Sequence, residues 1–116
     1  MSKTKDQVKK HCAEILGLKT VGQDITQPWT TKLEEVWDSV YDELKHENIN
    51  VFPEAGPLPD KLYHHVAVLM ADQLKTATSV SEPRYQRITI EKLEAWREVR
   101  KFAQDRYESI NNPTDF

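Results

Sequence analysis

The residues of this chain best suited to nucleophilic or metal chemistry are one cysteine and four histidines. His11 and Cys12 are adjacent, and a thiol beside an imidazole is the pairing that activates a sulfur nucleophile. Neighbours on a helix, however, point about 100° apart. Cys12 also falls on an apolar stripe, where a buried, inert thiol is expected. Glu43-Leu44-Lys45-His46 sets a carboxylate and an imidazole three residues apart on one helix face, the spacing of a di-iron ligand pair. That chemistry needs a second such pair on another helix, and the sequence has none in a matching position. Glu43 and His46 are therefore expected at the surface. His64 and His65 offer two imidazoles, but adjacent helix positions do not readily share one ion. They read as a surface or interface pair. The chain has no Gly-rich phosphate loop, no G-x-S-x-G and no paired carboxylates in a Gly-rich cleft setting. The expectation is a non-enzyme with no catalytic, cofactor-binding or metal-binding residues and no cofactor.

Composition points the same way. A chain of 116 residues has room for one core rather than two. Its formal net charge of −3 argues against sequence-specific DNA binding, which carries a basic footprint. Basic residues do gather at Lys3, Lys5, Lys9 and Lys10, a group able to make occasional contact with DNA. They gather again at Arg97, Arg100, Lys101 and Arg106, but there Glu94, Glu98, Asp105 and Glu108 interleave, as on a solvated helix face. A lone Cys12 excludes an intrachain disulfide and a thiolate cage, which suits a reducing compartment. The start of the chain is polar and amphipathic, and no run approaches the ~20 apolar residues of a membrane span. A soluble chain, not secreted by that route, is expected.

Three glycines and six prolines punctuate the chain at intervals that suit helices. The first helix is expected from Thr4 to Leu16, with Val8, Cys12, Ile15 and Leu16 on its apolar stripe and Gly17 ending it. A second follows Gln27-Pro28 and runs to Asn48, burying Trp29, Leu33, Val36, Trp37, Val40 and Leu44, with Tyr41 at the stripe's edge. Pro53, Gly56, Pro57 and Pro59 make the segment from Ile49 to Asp60 an extended connection. The third helix, Pro59 to Lys75, is apolar nearly all round, with Leu62, Tyr63, Val66, Leu69, Met70 and Leu74 on one face and Val68 and Ala71 opposite. Such a helix is buried on two sides.

Ser81-Glu82-Pro83 opens the last helix, which reaches about Ser109 on a stripe of Tyr85, Ile88, Leu93, Trp96, Val99, Ala103 and Tyr107. Its roughly 27 residues span about 40 Å, against a radius of gyration of about 13–14 Å for a compact domain of this size. The far end is expected to project beyond its own core. Ile90 and Phe102 fall off the main stripe and are expected at a protomer interface. The fold class is all-α: a four-helix bundle-like domain over residues 1–110 with a long projecting C-terminal helix, and a short extended tail at 111–116.

The order of these elements carries a likeness. A short helix ends in Glu14-Ile15-Leu16-Gly17-Leu18, and a Trp-rich helix follows. Ile49-Asn50-Val51-Phe52 and Pro57-Leu58-Pro59-Asp60-Lys61-Leu62 precede an Ala/Val/Leu/Met helix. Glu82-Pro83-Arg84-Tyr85-Gln86 opens the last helix, and Asn112-Pro113-Thr114-Asp115-Phe116 ends the chain. Over residues 5–116 this layout resembles the head-to-tail adaptor, or packaged-DNA-stabilisation, family of short-tailed phages. The resemblance implies a virion protein at the head-tail junction, made in the host cytoplasm. It implies a homo-oligomeric ring, expected in twelve copies, bound to the portal protein. That ring extends the DNA channel, helps retain the packaged genome and forms a platform for a tail (nozzle or tail-tube) protein, close to DNA and away from membranes. By the same resemblance Asn112, Pro113, Thr114, Asp115 and Phe116 dock on the portal. An aromatic terminal residue with its carboxylate is a plausible anchor for a pocket. The tail is shorter here than in some relatives. The rival reading is a small helical partner-binding or regulatory module, which would have no affinity for a portal.

Overall fold

A computed structural model of the chain describes residues 2–17, 29–47, 49, 52–53, 56–78 and 80–111, with Ser2 and residues 106–111 by backbone alone. Among the described residues the architecture is all-α. Four helices, α1 (Lys5–Leu16), α2 (Trp29–His46), α3 (Asp60–Leu74) and α4 (Glu82–Asn111), pack in a bundle-like arrangement. Two short strands, β1 (Ser2–Lys3) and β2 (Leu58–Pro59), pair antiparallel with Lys3 opposite Leu58. The expected start of the second helix at Gln27-Pro28 and the tail from Asn112 to Phe116 lie outside the described residues.

α1 is fixed at both ends. Thr4 Oγ1 accepts from the Gln7 amide at 3.1 Å, and Gln7 Oε1 accepts from the Thr4 amide at 2.8 Å. The pair forms a capping box that satisfies two otherwise unpaired donors. At the other end Gly17 adopts φ +79°, the left-handed conformation that glycine takes without steric cost. The place a Cβ would occupy there is already filled by the guanidinium of Arg84 from α4.

α3 is the centre of the molecule. Leu62, Val66, Ala67, Val68, Leu69, Met70, Ala71 and Leu74 are all buried, because α1, α2 and α4 pack around it. This is the two-sided burial that its nearly continuous apolar sequence requires. α2 adds Leu33, Trp37, Val40 and Leu44. Described residues of the proline-rich connection join the core. Ile49, Phe52 and Leu58 are buried, and the Phe52 ring lies 5.8 Å from both Trp37 and Tyr41. Gly56, at φ +80° before a cis bond to Pro57, passes against the start of α1.

The buried face of α4 overlaps the expected stripe at Ile88, Trp96, Val99 and Ala103 and departs from it at two residues. Ile88, Ala95 and Val99 are buried, with Trp96, Phe102 and Ala103 partly covered. Leu93 and Tyr85, which the sequence places on the core stripe, are exposed instead. The small side chain of Ala95 and the trim Val99 let α4 sit close on α3, and that narrow stripe sets the rotation. Lys75 and Lys92 both reach Asp72, at 2.6 and 3.1 Å, on the same α3–α4 seam. Thirty residues of α4 rise about 45 Å, most of the 51 Å long dimension of the molecule. Among the described residues no helix is long and apolar enough to cross a membrane.

Candidate functional site

Ile90 is 69% and Leu93 70% exposed. One helical turn apart, they share a face of α4 pointing away from the Ile88–Ala95–Val99 seam. Tyr85, at the start of the same helix, is 37% exposed with Lys75 Nζ 4.5 Å from its ring centre. An isolated exposed leucine needs no explanation, but a contiguous outward pair on the longest helix is the kind of surface that a partner covers. Phe102, expected beside Ile90, stands differently. It is half-buried against the core and lines a cavity between α3 and α4 with Lys61, Leu62, His65, Glu98, Lys101 and Asp105. Leu93 was missed as a surface residue because it also fits a heptad-like stripe with Trp96. The signal available in the sequence was the competing stripe of Ile88, Ala95, Val99 and Phe102, spaced by seven, four and three.

The chemical residues fall into two groups. Cys12 is wholly buried, and burial pushes its thiol well above the usual range, which disfavours the thiolate. Glu43 and His46 are exposed and line an open acidic concavity on α2 with Glu35, Asp38, Asp42 and Glu47. Glu43 accepts from Gln73 Nε2 at 2.9 Å. His64 and His65 do diverge, as adjacent helix positions must: His64 is exposed, while His65 turns towards the α3–α4 cavity. Burial, and then His64, lower the His65 pKa, with Glu98 and Glu94 opposing.

The contact that sequence reasoning did not find joins α1 to α3. His11 Nε2 lies 2.9 Å from His64 Nδ1. The His11 ring stacks on Tyr63 at 4.8 Å, tilted by 21°. Glu14 Oε1 is 3.5 Å from His11 Nδ1. Burial holds the His11 pKa below the ordinary value against the opposing carboxylate. Two histidines separated by 53 positions carry no local signal of meeting. Among the described residues no group of three or more His, Cys, Asp or Glu side chains is placed to hold a metal ion.

Members of both basic groups are engaged within the fold. Lys5 and Lys9 both bind Glu34 of α2 at 2.5 Å, so two of the four N-terminal lysines are neutralised within the fold. Arg100 reaches Glu47 at the end of α2 at 3.0 Å and lies over Trp96 at 4.9 Å. It braces α4 against another helix and does not simply pair along its own. Comparisons of the chain with protein-family models, with curated proteins and with solved structures find no match.

Proposed function

We propose that this chain is a phage head-to-tail adaptor, a structural protein that assembles as a ring on the portal, extends the DNA channel, helps retain the genome and receives a tail protein. The observation that carries the reading, beside the layout of the sequence, is the outward Ile90–Leu93 pair on the thirty-residue last helix. In the ring this face meets a neighbouring protomer; Phe102, which lies with Ile88, Ala95 and Val99 on the core-facing stripe, is not part of that contact. The tail residues Asn112, Pro113, Thr114, Asp115 and Phe116 dock on the portal. With Lys5 and Lys9 held by Glu34 and a net charge of −3, the protomer has little electrostatic hold on DNA, which suits a channel that must let DNA slide.

The test mixes the purified protein with portal rings encoded in the same genome and follows co-migration by size exclusion and negative-stain microscopy, with a variant lacking 112–116 alongside. A ring-shaped layer on the portal that the truncation abolishes is the expected result. Failure of the intact protein to bind any of the portals would instead favour a free-standing partner-binding module.

A further inference from the structure

We propose that His11 and His64 form a two-histidine site for a late first-row divalent metal ion, Ni²⁺, Cu²⁺ or Zn²⁺, that clips α1 to α3. This does not rest on the adaptor reading. Imidazole nitrogen is the ligand these ions favour, whereas Mg²⁺ and Ca²⁺ require oxygen. The two nitrogens stand 2.9 Å apart. With metal–nitrogen bonds of about 2.0–2.1 Å, a right-angled pair of ligands spans about 2.9 Å and a tetrahedral pair about 3.3–3.4 Å. The rings meet nearly head-on, with centres 5.2 Å apart, so one must swing to aim both lone pairs at a common point. His64 is exposed, with the His65 ring edge-on at 5.8 Å, and is the ring that must swing, while His11 is held against Tyr63.

The surroundings prepare His11 as the anchoring ligand. Glu14 beside Nδ1 favours the tautomer with its proton on Nδ1, because a carboxylate accepts that N–H and is repelled by a bare nitrogen lone pair. The Nε2 lone pair is thereby left facing His64. In the metal-free protein it accepts from His64 Nδ1–H. On metal binding that proton passes through solvent to His64 Nε2, so both imidazoles stay neutral and both facing nitrogens donate lone pairs. A carboxylate behind a metal-binding imidazole is the arrangement that fixes ring orientation and raises ligand basicity. Water completes the coordination, since among the described residues no third His, Cys, Asp or Glu side chain is placed to join the two imidazoles on an ion.

The experiment titrates the untagged full-length chain with NiCl₂ at about pH 7.5, where unperturbed imidazole is neutral, by calorimetry, and follows melting with and without the ion. One Ni²⁺ per chain is expected. His11→Gln and His64→Gln should each weaken binding at least tenfold, and Glu14→Gln about tenfold. His46→Gln and His65→Gln should leave the affinity within twofold. The ion should raise the melting temperature of the wild type and not of His64→Gln, because it binds a site made only by the folded chain. His64→Gln alters an exposed side chain, so it decides the matter even where His11→Gln disturbs folding. Absence of saturable binding by the folded wild type, retained affinity in His64→Gln, or loss of binding in His65→Gln or His46→Gln would overturn the proposal.

Discussion

Glu34 accepts from Lys5 and Lys9 at once, and these two bonds, the Lys5 bond foremost, hold its carboxyl below the ordinary glutamate range. A carboxylate with a depressed folded-state pKa adds stability that is fully present above its unfolded pKa of about 4.3 and is lost as pH falls through the folded value. Urea unfolding from about pH 7 down to pH 3 should therefore show a shallower acid-side loss in Glu34→Gln than in the wild type. At neutral pH the same substitution should cost no more than about 1 kcal/mol, and less at high salt, because the Glu34 carboxylate is nearly half exposed and so screened. The local stripes at this scale were legible. Val8, Cys12 and Leu16 recur at helical spacing and are buried. Contacts that join distant positions were not. Nothing in the spacing of Lys5, Lys9 and Glu34, or of His11 and His64, says that folding brings them together, because side-chain pairing between helices depends on rotation about each axis.

Gly17 shows how an element's end depends on one residue. Its φ of +79° is disfavoured for any residue with a Cβ, and the Arg84 guanidinium stands where that atom would go. Gly17→Ala is expected to destabilise the fold by about 1 kcal/mol or somewhat more, visible as a lower urea midpoint with an unchanged denaturant slope. The existence and extent of the helices were readable, since proline, glycine and the 3.6-residue period act locally. The rotation of α4 was readable in part: Ile88, Trp96, Val99 and Ala103 lie on the expected face, whereas Leu93 and Tyr85 do not. Two apolar stripes compete along its sequence, and packing of Ala95 and Val99 on α3 decides between them. That decision has a measurable consequence. Ile88→Ala, at 1% exposure, should cost about 2–5 kcal/mol, whereas Leu93→Ala should stay within about 0.5 kcal/mol of the wild type. Equal losses at the two positions in thermal or urea unfolding would mean that the helix is rotated from the orientation described.

At the scale of the whole molecule, the apolar pair that contributes little to the protomer is the place to separate folding from assembly. Composition and element order were enough to read an all-α chain with a long last helix, because total apolar content and punctuation survive any detail of packing. Which side chains the finished fold leaves outside was legible in part: Ile90 falls off the core stripe in the sequence, as found, whereas Leu93 falls on it. Ile90 and Leu93 are outside, so Ile90→Lys combined with Leu93→Lys removes apolar surface without opening a cavity. The doubly substituted protein should melt within a few degrees of the wild type, since surface changes of this kind lie within about 0.5 kcal/mol each. If a second protomer covers the face, two lysines buried there without partners are costly. The variant should then fail to form the ring on portal particles that bind the wild type, when scored by negative-stain microscopy at equal protein concentration. A ring of unchanged occupancy from the double variant would place the protomer contact elsewhere on the molecule. A variant that still binds the portal singly, without closing the ring, would separate the tail's docking on the portal from the helix face that joins neighbours.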